Sequence, residues 1–284
     1  MKLDRRTFVA GVAALAVAPR ELFANPLGLP LAIQLYSVRE QMKQDLDMAL
    51  AGVAAAGYKE VESAALPKKS AKEIRAALDK AGLKCVSSHH GFADLNADLA
   101  GVFAYDAEIG SKFVICASPG HRDPSAKSAS FSLDDWKFCA ENFNRWAETA
   151  EKHGLKLGYH NHIHEFDMVD GTSPYELLLK ECDPHRMTFE MDCGWVRVAK
   201  QDPIDLMRKH PFRFSMLHMK DFHMSAEAGP KVTELGKGDI DYRPVLAQAR
   251  KNQHLLHVFA EQEAFDVPWQ ESLKIDADYM RRLR

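Results

Sequence analysis

The chain has 284 residues, of which 46% are hydrophobic and 27% charged, with a formal net charge of −3. That balance belongs to an ordinary globular protein and excludes disordered and collagen-like classes. Basic residues are scattered rather than gathered on one face, so nucleic acid is not an expected partner.

The first residues read apart from the rest. Lys2, Arg5 and Arg6 precede an apolar run of eleven, Phe8–Ala18. A bilayer span needs ~20 residues, so this run has instead the size of a signal-peptide core. Asp4–Val9 resembles a twin-arginine export signal. The expectation is therefore a signal over 1–24, cleaved after Ala24 (Ala18 is the alternative), and a periplasmic domain over 25–284. No later run is long enough to cross a membrane, so no span is expected once the signal is removed.

Strands and helices then alternate. Leu31–Tyr36 reads as strand one and Asp45–Ala56 as a helix closed by Gly57. Tyr58–Glu62 is strand two. Ser70–Ala81 is a helix with Ser70 and Glu73 at capping-box spacing. Leu83–His89 is strand three, Leu95–Ile109 a helix, and Lys112–Ala117 strand four. Leu133–His153 is a long helix, Leu155–Asn161 strand five, and Ser173–Glu181 a helix. Met187–Asp192 is strand six, Pro203–His210 a helix, and Phe214–Met219 strand seven. Tyr242–Asn252 is a helix, Leu255–Glu261 strand eight, and Trp269–Arg284 the last helix. Eight strand–helix units at this length predict a single-domain α/β fold, the (β/α)8 TIM barrel. An open doubly wound sheet wants a GxGxxG turn, and none occurs. Ser118–Ser132 and His223–Gly238 are the expected mobile stretches. The five cysteines form no CxxC pair and read as buried small hydrophobes.

In such a barrel the active site lies at the C-terminal ends of the strands. Strand three ends in Ser87-Ser88-His89-His90, strand five in Tyr159-His160-Asn161-His162, and strand six in Glu190-Met191-Asp192. Strand seven ends in His218-Met219-Lys220-Asp221 and strand eight in Glu261-Gln262-Glu263. Imidazole and carboxylate together suit one divalent ion, Mn, Zn, Co or Fe(II), with Mg as a further alternative, better than calcium. Period-two geometry puts His160 with His162, and Glu190 with Asp192, on one face. Glu190, a layer deeper, acts either as a base or as a support for a ligand. Lys220 reads either as a donor to an oxyanion or as half of a solvated ion pair.

The chain resembles the sugar phosphate isomerase/epimerase family with the xylose-isomerase-like barrel. The resemblance is carried by Ile33–Arg39, Gly158–His162 with Glu165-Phe166, Thr188–Asp192 with Trp195, Leu217–Asp221, Gly236–Ile240 and Ala260-Glu261. It implies a metal held by Asp192, His218 and Glu261, with His160 as fourth ligand and His162 as its alternative. Expected catalytic groups are Glu261, His162, Glu190 and Lys220; expected substrate contacts are Gln34, Tyr36, His89 and Trp195. Two departures stand out. Strand five offers histidines where the better-known epimerases carry Glu, which removes one of two carboxylates that exchange protons on opposite sugar faces. Trp195 also replaces a substrate-contacting His. The implied activity is isomerisation or epimerisation of a small carbohydrate by proton abstraction beside a carbonyl, through a metal-stabilised enediolate. A 3-keto-glycoside lyase or hydratase, and a non-catalytic periplasmic sugar-binding protein, are the alternatives. Replacing Asp192 or His218 should remove the metal with little loss of fold. The sequence carries no signal for an oligomeric state.

Overall fold

Parallel strands need cover on both faces. The computed structural model, which describes residues 24–126, 128, 130–225 and 229–283, meets that need by closing eight parallel strands into a barrel. The strands are β1 Ala32–Gln34, β2 Glu60–Ser63, β3 Lys84–His90, β4 Phe113–Cys116, β5 Lys156–His160, β6 Met187–Asp192, β7 Phe214–Met219 and β10 His257–Ala260. β1 pairs with both β2 and β10, which completes the ring. The single-domain (β/α)8 expectation is met. The expected export signal, apart from Ala24, lies outside the described residues, and among those described no helix is long and apolar enough to cross a membrane.

The helices are α1 Arg39–Gln44, α2 Leu46–Ala56, α3 Ala71–Ala81, α4 Phe92–Ala97, α5 Leu99–Ile109 and α6 Leu133–Lys152. They continue with α7 Pro174–Glu181, α8 Cys193–Val198, α9 Pro203–Lys209, α10 Tyr242–Asn252 and α11 Trp269–Arg282. The capping box before α3 forms as expected, with Ser70 Oγ accepting from the Glu73 amide and Glu73 Oε2 from the Ser70 amide. One expectation needs correction. The helix over Leu95–Ile109 is two helices, α4 and α5, because Asp98 leaves helical geometry and caps α5 by accepting from the Gly101 amide at 3.0 Å. Likewise His223–Gly238 holds a strand of a small antiparallel hairpin, β8 Asp221–His223 with β9 Lys231–Thr233.

Two apolar regions fix the position of the site. The larger core lies between barrel and helices and takes in all five cysteines, which are buried and free. A smaller plug of Ala32, Phe113, Ile115, Met216 and Phe259 fills the barrel. Gly158 keeps that plug tight, since a Cβ there would lie 2.5 Å from Ile115 Cδ1. Two residues further along β5 sits His160, so the plug forms the floor beneath the polar layer.

One buried acid lies away from that layer. Asp276 on α11 is fully buried; Oδ1 accepts from the Leu235 amide at 2.7 Å and Oδ2 has no partner. Burial, and the carboxylates of Glu234 and Asp221, push its pKa up to about 8 against the pull of that amide. The folded state then holds a proton that the unfolded state releases near pH 4, so stability falls as pH rises from about 4 to about 8. Asp276→Asn is expected to flatten that fall and gain about 1–3 kcal/mol at pH 8 relative to pH 5. Urea unfolding at the two pH values checks it, and an equal slope in both proteins would count against it.

Candidate metal centre

Above the plug, inward-facing side chains from several strands meet in one buried polar layer. β2 supplies Glu62, β3 His89, β5 His160, β6 Glu190 and Asp192, and β7 His218; Lys220 and Glu261 directly follow β7 and β10. The ligating atoms of His160, Asp192, His218 and Glu261 all lie within 4.8 Å of one another, and all four residues are buried. His218 Nδ1 is 2.9 Å from Glu261 Oε2, and His160 Nε2 is 3.9 Å from Asp192 Oδ2. Asp192 Oδ2 is buried and makes no hydrogen bond, although the Lys220 ammonium lies 3.4 Å away, so it keeps lone pairs for a second cation.

The other nitrogen of each histidine faces a deeper carboxylate. His160 Nδ1 lies 3.0 Å from Glu190 Oε2, and His218 Nε2 lies 2.7 Å from Glu62 Oε1. Such carboxylates fix the tautomer and ring orientation of metal-binding histidines. The donor set therefore fits a divalent transition ion.

Charge follows the same division. Burial and the charge of His218 push the His160 imidazole pKa down, outweighing Glu190. His218 goes up: its burial is outweighed by Glu190, Glu261 and Glu62. Burial would lower His89 too, but Glu62 and Glu190 hold it up at about 9. Asp192 is pushed up to about 6 by burial and by Glu261, against the pull of Lys220. Burial alone would raise Glu261, but Lys220 and His218 bring it well below the usual carboxylate range.

Three of the expected substrate contacts line a cleft of about 560 Å³ above the layer: Tyr36, His89 and Trp195, together with His160, His162, Glu261 and Glu263. The ring of His162 is 4.9 Å from that of His160, and burial lowers its pKa. His89 uses Nε2 on Glu190 and Glu62, at 2.6 and 2.9 Å, and presents its other face to the cleft. Two of the expected site residues lie deeper. Gln34 is fully buried beneath the cleft, with Nε2 donating to Glu62 and Oε1 accepting from the Tyr36 amide. Lys220 is also fully buried, its ammonium 3.0 Å from Glu261, 3.4 Å from Asp192 and 2.5 Å from Glu263, so it is no part of a solvated ion pair. Sequence reasoning missed Glu62, although a Glu at the end of strand two is the same kind of signal as those it used.

Fold and cluster together define a closed (β/α)8 barrel with a buried cluster of His, Asp and Glu that could hold a metal ion. The chain belongs to the xylose isomerase-like TIM barrel family, whose model matches residues 50–283. A solved sugar phosphate isomerase/epimerase from Parabacteroides distasonis ATCC 8503 is 26% identical, with TM-score 0.70, covering 88% of this chain and 93% of that one. An inosose dehydratase from Lacticaseibacillus casei is 25% identical over 158 residues, 48% of this chain and 52% of the relative, so the match spans about half of that protein. One from Clostridium botulinum (strain Alaska E43 / Type E3) is 21% identical over 247 residues, 76% of this chain and 82% of the relative.

Proposed function

We propose that this protein removes a proton beside the carbonyl of a keto-sugar or keto-polyol, and that elimination of a neighbouring oxygen substituent completes the reaction. The observation that carries it is the convergence of His160, Asp192, His218 and Glu261 under an open cleft. A divalent ion in that set supplies Lewis-acid stabilisation of the charge that develops on the carbonyl oxygen. His162, neutral and at the cleft, takes the proton and returns it to the departing oxygen, which leaves as water or as the aglycone alcohol. Glu261 is the carboxylate next to it and serves as ligand and as alternative base. Glu190 and Glu62 orient His160 and His218. Lys220 holds Asp192 and Glu261 in place. Tyr36 and Trp195 give the sugar ring an apolar wall, and His89 contacts a substrate oxygen.

Elimination needs one base and the metal, and this site offers His160 where a second exchanging carboxylate would stand in an epimerase. The inosose dehydratases among the relatives support the same reading. Epimerisation is the second reading, favoured by the imidazoles of His89 and His162 lining the same cleft. An exported, periplasmic site of action remains part of the proposal.

The test uses the Mn-loaded protein with an inosose or a 3-keto-glucoside in D2O. Loss of the hydrogen at the carbon beside the carbonyl, with release of water or aglycone, is the expected result. Deuterium entry with inversion and no release supports epimerisation. Absence of both across a broad panel would refute proton abstraction.

A further inference from the structure

In TIM barrels a phosphate on the substrate is commonly taken by the loops after strands seven and eight, where backbone amides and a helix N-terminus converge. Here the loop after β7 uses those amides on its own chain. The carboxylate of Asp221, buried just beyond β7, accepts from the amides of Phe222 at 2.9 Å, Gly236 at 2.9 Å, Gly238 at 3.1 Å and Ile240 at 3.1 Å. The fit is close enough that a Cβ on Gly238 would collide with Asp221. The N-terminus of α10 is capped by Asp241, which accepts from the Arg243 amide at 3.0 Å. After β10, the first turn of α11 carries Glu271. A phosphate would meet a carboxylate at each of these places.

The cleft repeats the sign. Asp94, Glu261 and Glu263 line it, and among the described residues no Lys or Arg does. The nearest cations are engaged. Lys220 is buried among Asp192, Glu261 and Glu263. Arg39 donates to the carbonyls of Tyr36 and Glu263 at 2.9 and 3.2 Å and lies 4.2 Å above the Tyr36 ring. The His89 imidazole is engaged too, with Nε2 on Glu190 and Glu62 at 2.6 and 2.9 Å, which leaves carboxylates that accept from hydroxyls, beside Tyr36 and Trp195.

We infer that the substrate is an uncharged, unphosphorylated carbohydrate, and that the site selects against phosphate esters. This rests on the carbohydrate reading of the metal centre and narrows it. The experiment is calorimetric titration of the Mn-loaded full chain with neutral and phosphorylated pairs, myo-inositol against its monophosphate and D-fructose against its phosphate ester, with inorganic phosphate alongside. The neutral member is expected to bind roughly tenfold or more tightly, with a gap that narrows at high NaCl because its cause is electrostatic. Glu263→Gln should narrow it as well. A phosphorylated member that binds as well or better, or inorganic phosphate that displaces the neutral sugar, overturns the inference and leaves the metal–sugar reading intact. A gap indifferent to both salt and Glu263→Gln overturns it too. If the protein binds Mn but no sugar of either kind, both readings fall together.

Discussion

Asp192→Ala is expected to lower bound metal from about one ion per chain to a trace while the chain stays folded; His218→Ala is expected to lose the metal and much of its stability as well. The two ligands differ in what lies behind them. Burial and Glu261 already press on the Asp192 carboxylate, pushing its pKa to about 6. Removing it relieves that opposition, and Lys220 keeps Glu261 and Glu263 as partners. The main structural loss is the cap on the Trp195 amide, about 1 kcal/mol. His218 instead sits between carboxylates, with Nδ1 on Glu261 and Nε2 on Glu62 and near Glu190. Taking it away leaves buried acids short of a counter-charge, an effect of about 3–5 kcal/mol. The sequence alone treats the two substitutions as equally mild; the deeper carboxylates separate them. Elemental analysis and urea unfolding on both variants read the two effects. Full metal content in Asp192→Ala would remove the ligand assignment.

The barrel was legible because its signals are local. Each strand–helix unit announces itself by an apolar run, a capping residue or a closing glycine, and closure follows from eight such units. The convergence of the candidate cluster was legible for a related reason: polar residues at the ends of apolar strands have no packing role there, and strand parity sets which of them share a face. Parity placed Glu190 one layer under Asp192, and its oxygen does meet His160 and His218. What escaped was lateral contact between strands distant in the chain. Glu62 and His218 are 156 residues apart, and only barrel closure brings them to 2.7 Å. The depth of Gln34 and Lys220 escaped for the same reason. Each stands near a motif that points toward substrate, yet each finds buried carboxylates first, and a buried amide or ammonium takes the nearest acceptor available to it. The split between α4 and α5 turned on one aspartate that prefers capping to helix, a competition visible only once the backbone turns.

Glu62→Gln is expected to weaken metal binding by about 10- to 100-fold without touching a ligand. Glu62 Oε1 takes three donors: Gln34 Nε2 at 2.8 Å, His218 Nε2 at 2.7 Å and His89 Nε2 at 2.9 Å. A glutamine keeps the volume and one acceptor oxygen but gives up the charge that makes the His218 ring a stronger electron donor through Nδ1. The same change removes one of the two carboxylates that hold His89 up at about 9, so the His89 titration, followed by NMR, should move down. Glu60→Gln is the matched control. It is the same substitution two residues earlier on β2, where the carboxylate bonds His257 Nδ1 at 2.7 Å at the opposite end of the barrel. Competition against a fluorescent chelator should therefore find Glu60→Gln close to the unsubstituted protein and Glu62→Gln far from it. A side chain on β2, which carries no ligand, would then tune the site through His218 on β7. Equal affinities in the two variants would mean that Glu62 merely fills space beneath the site.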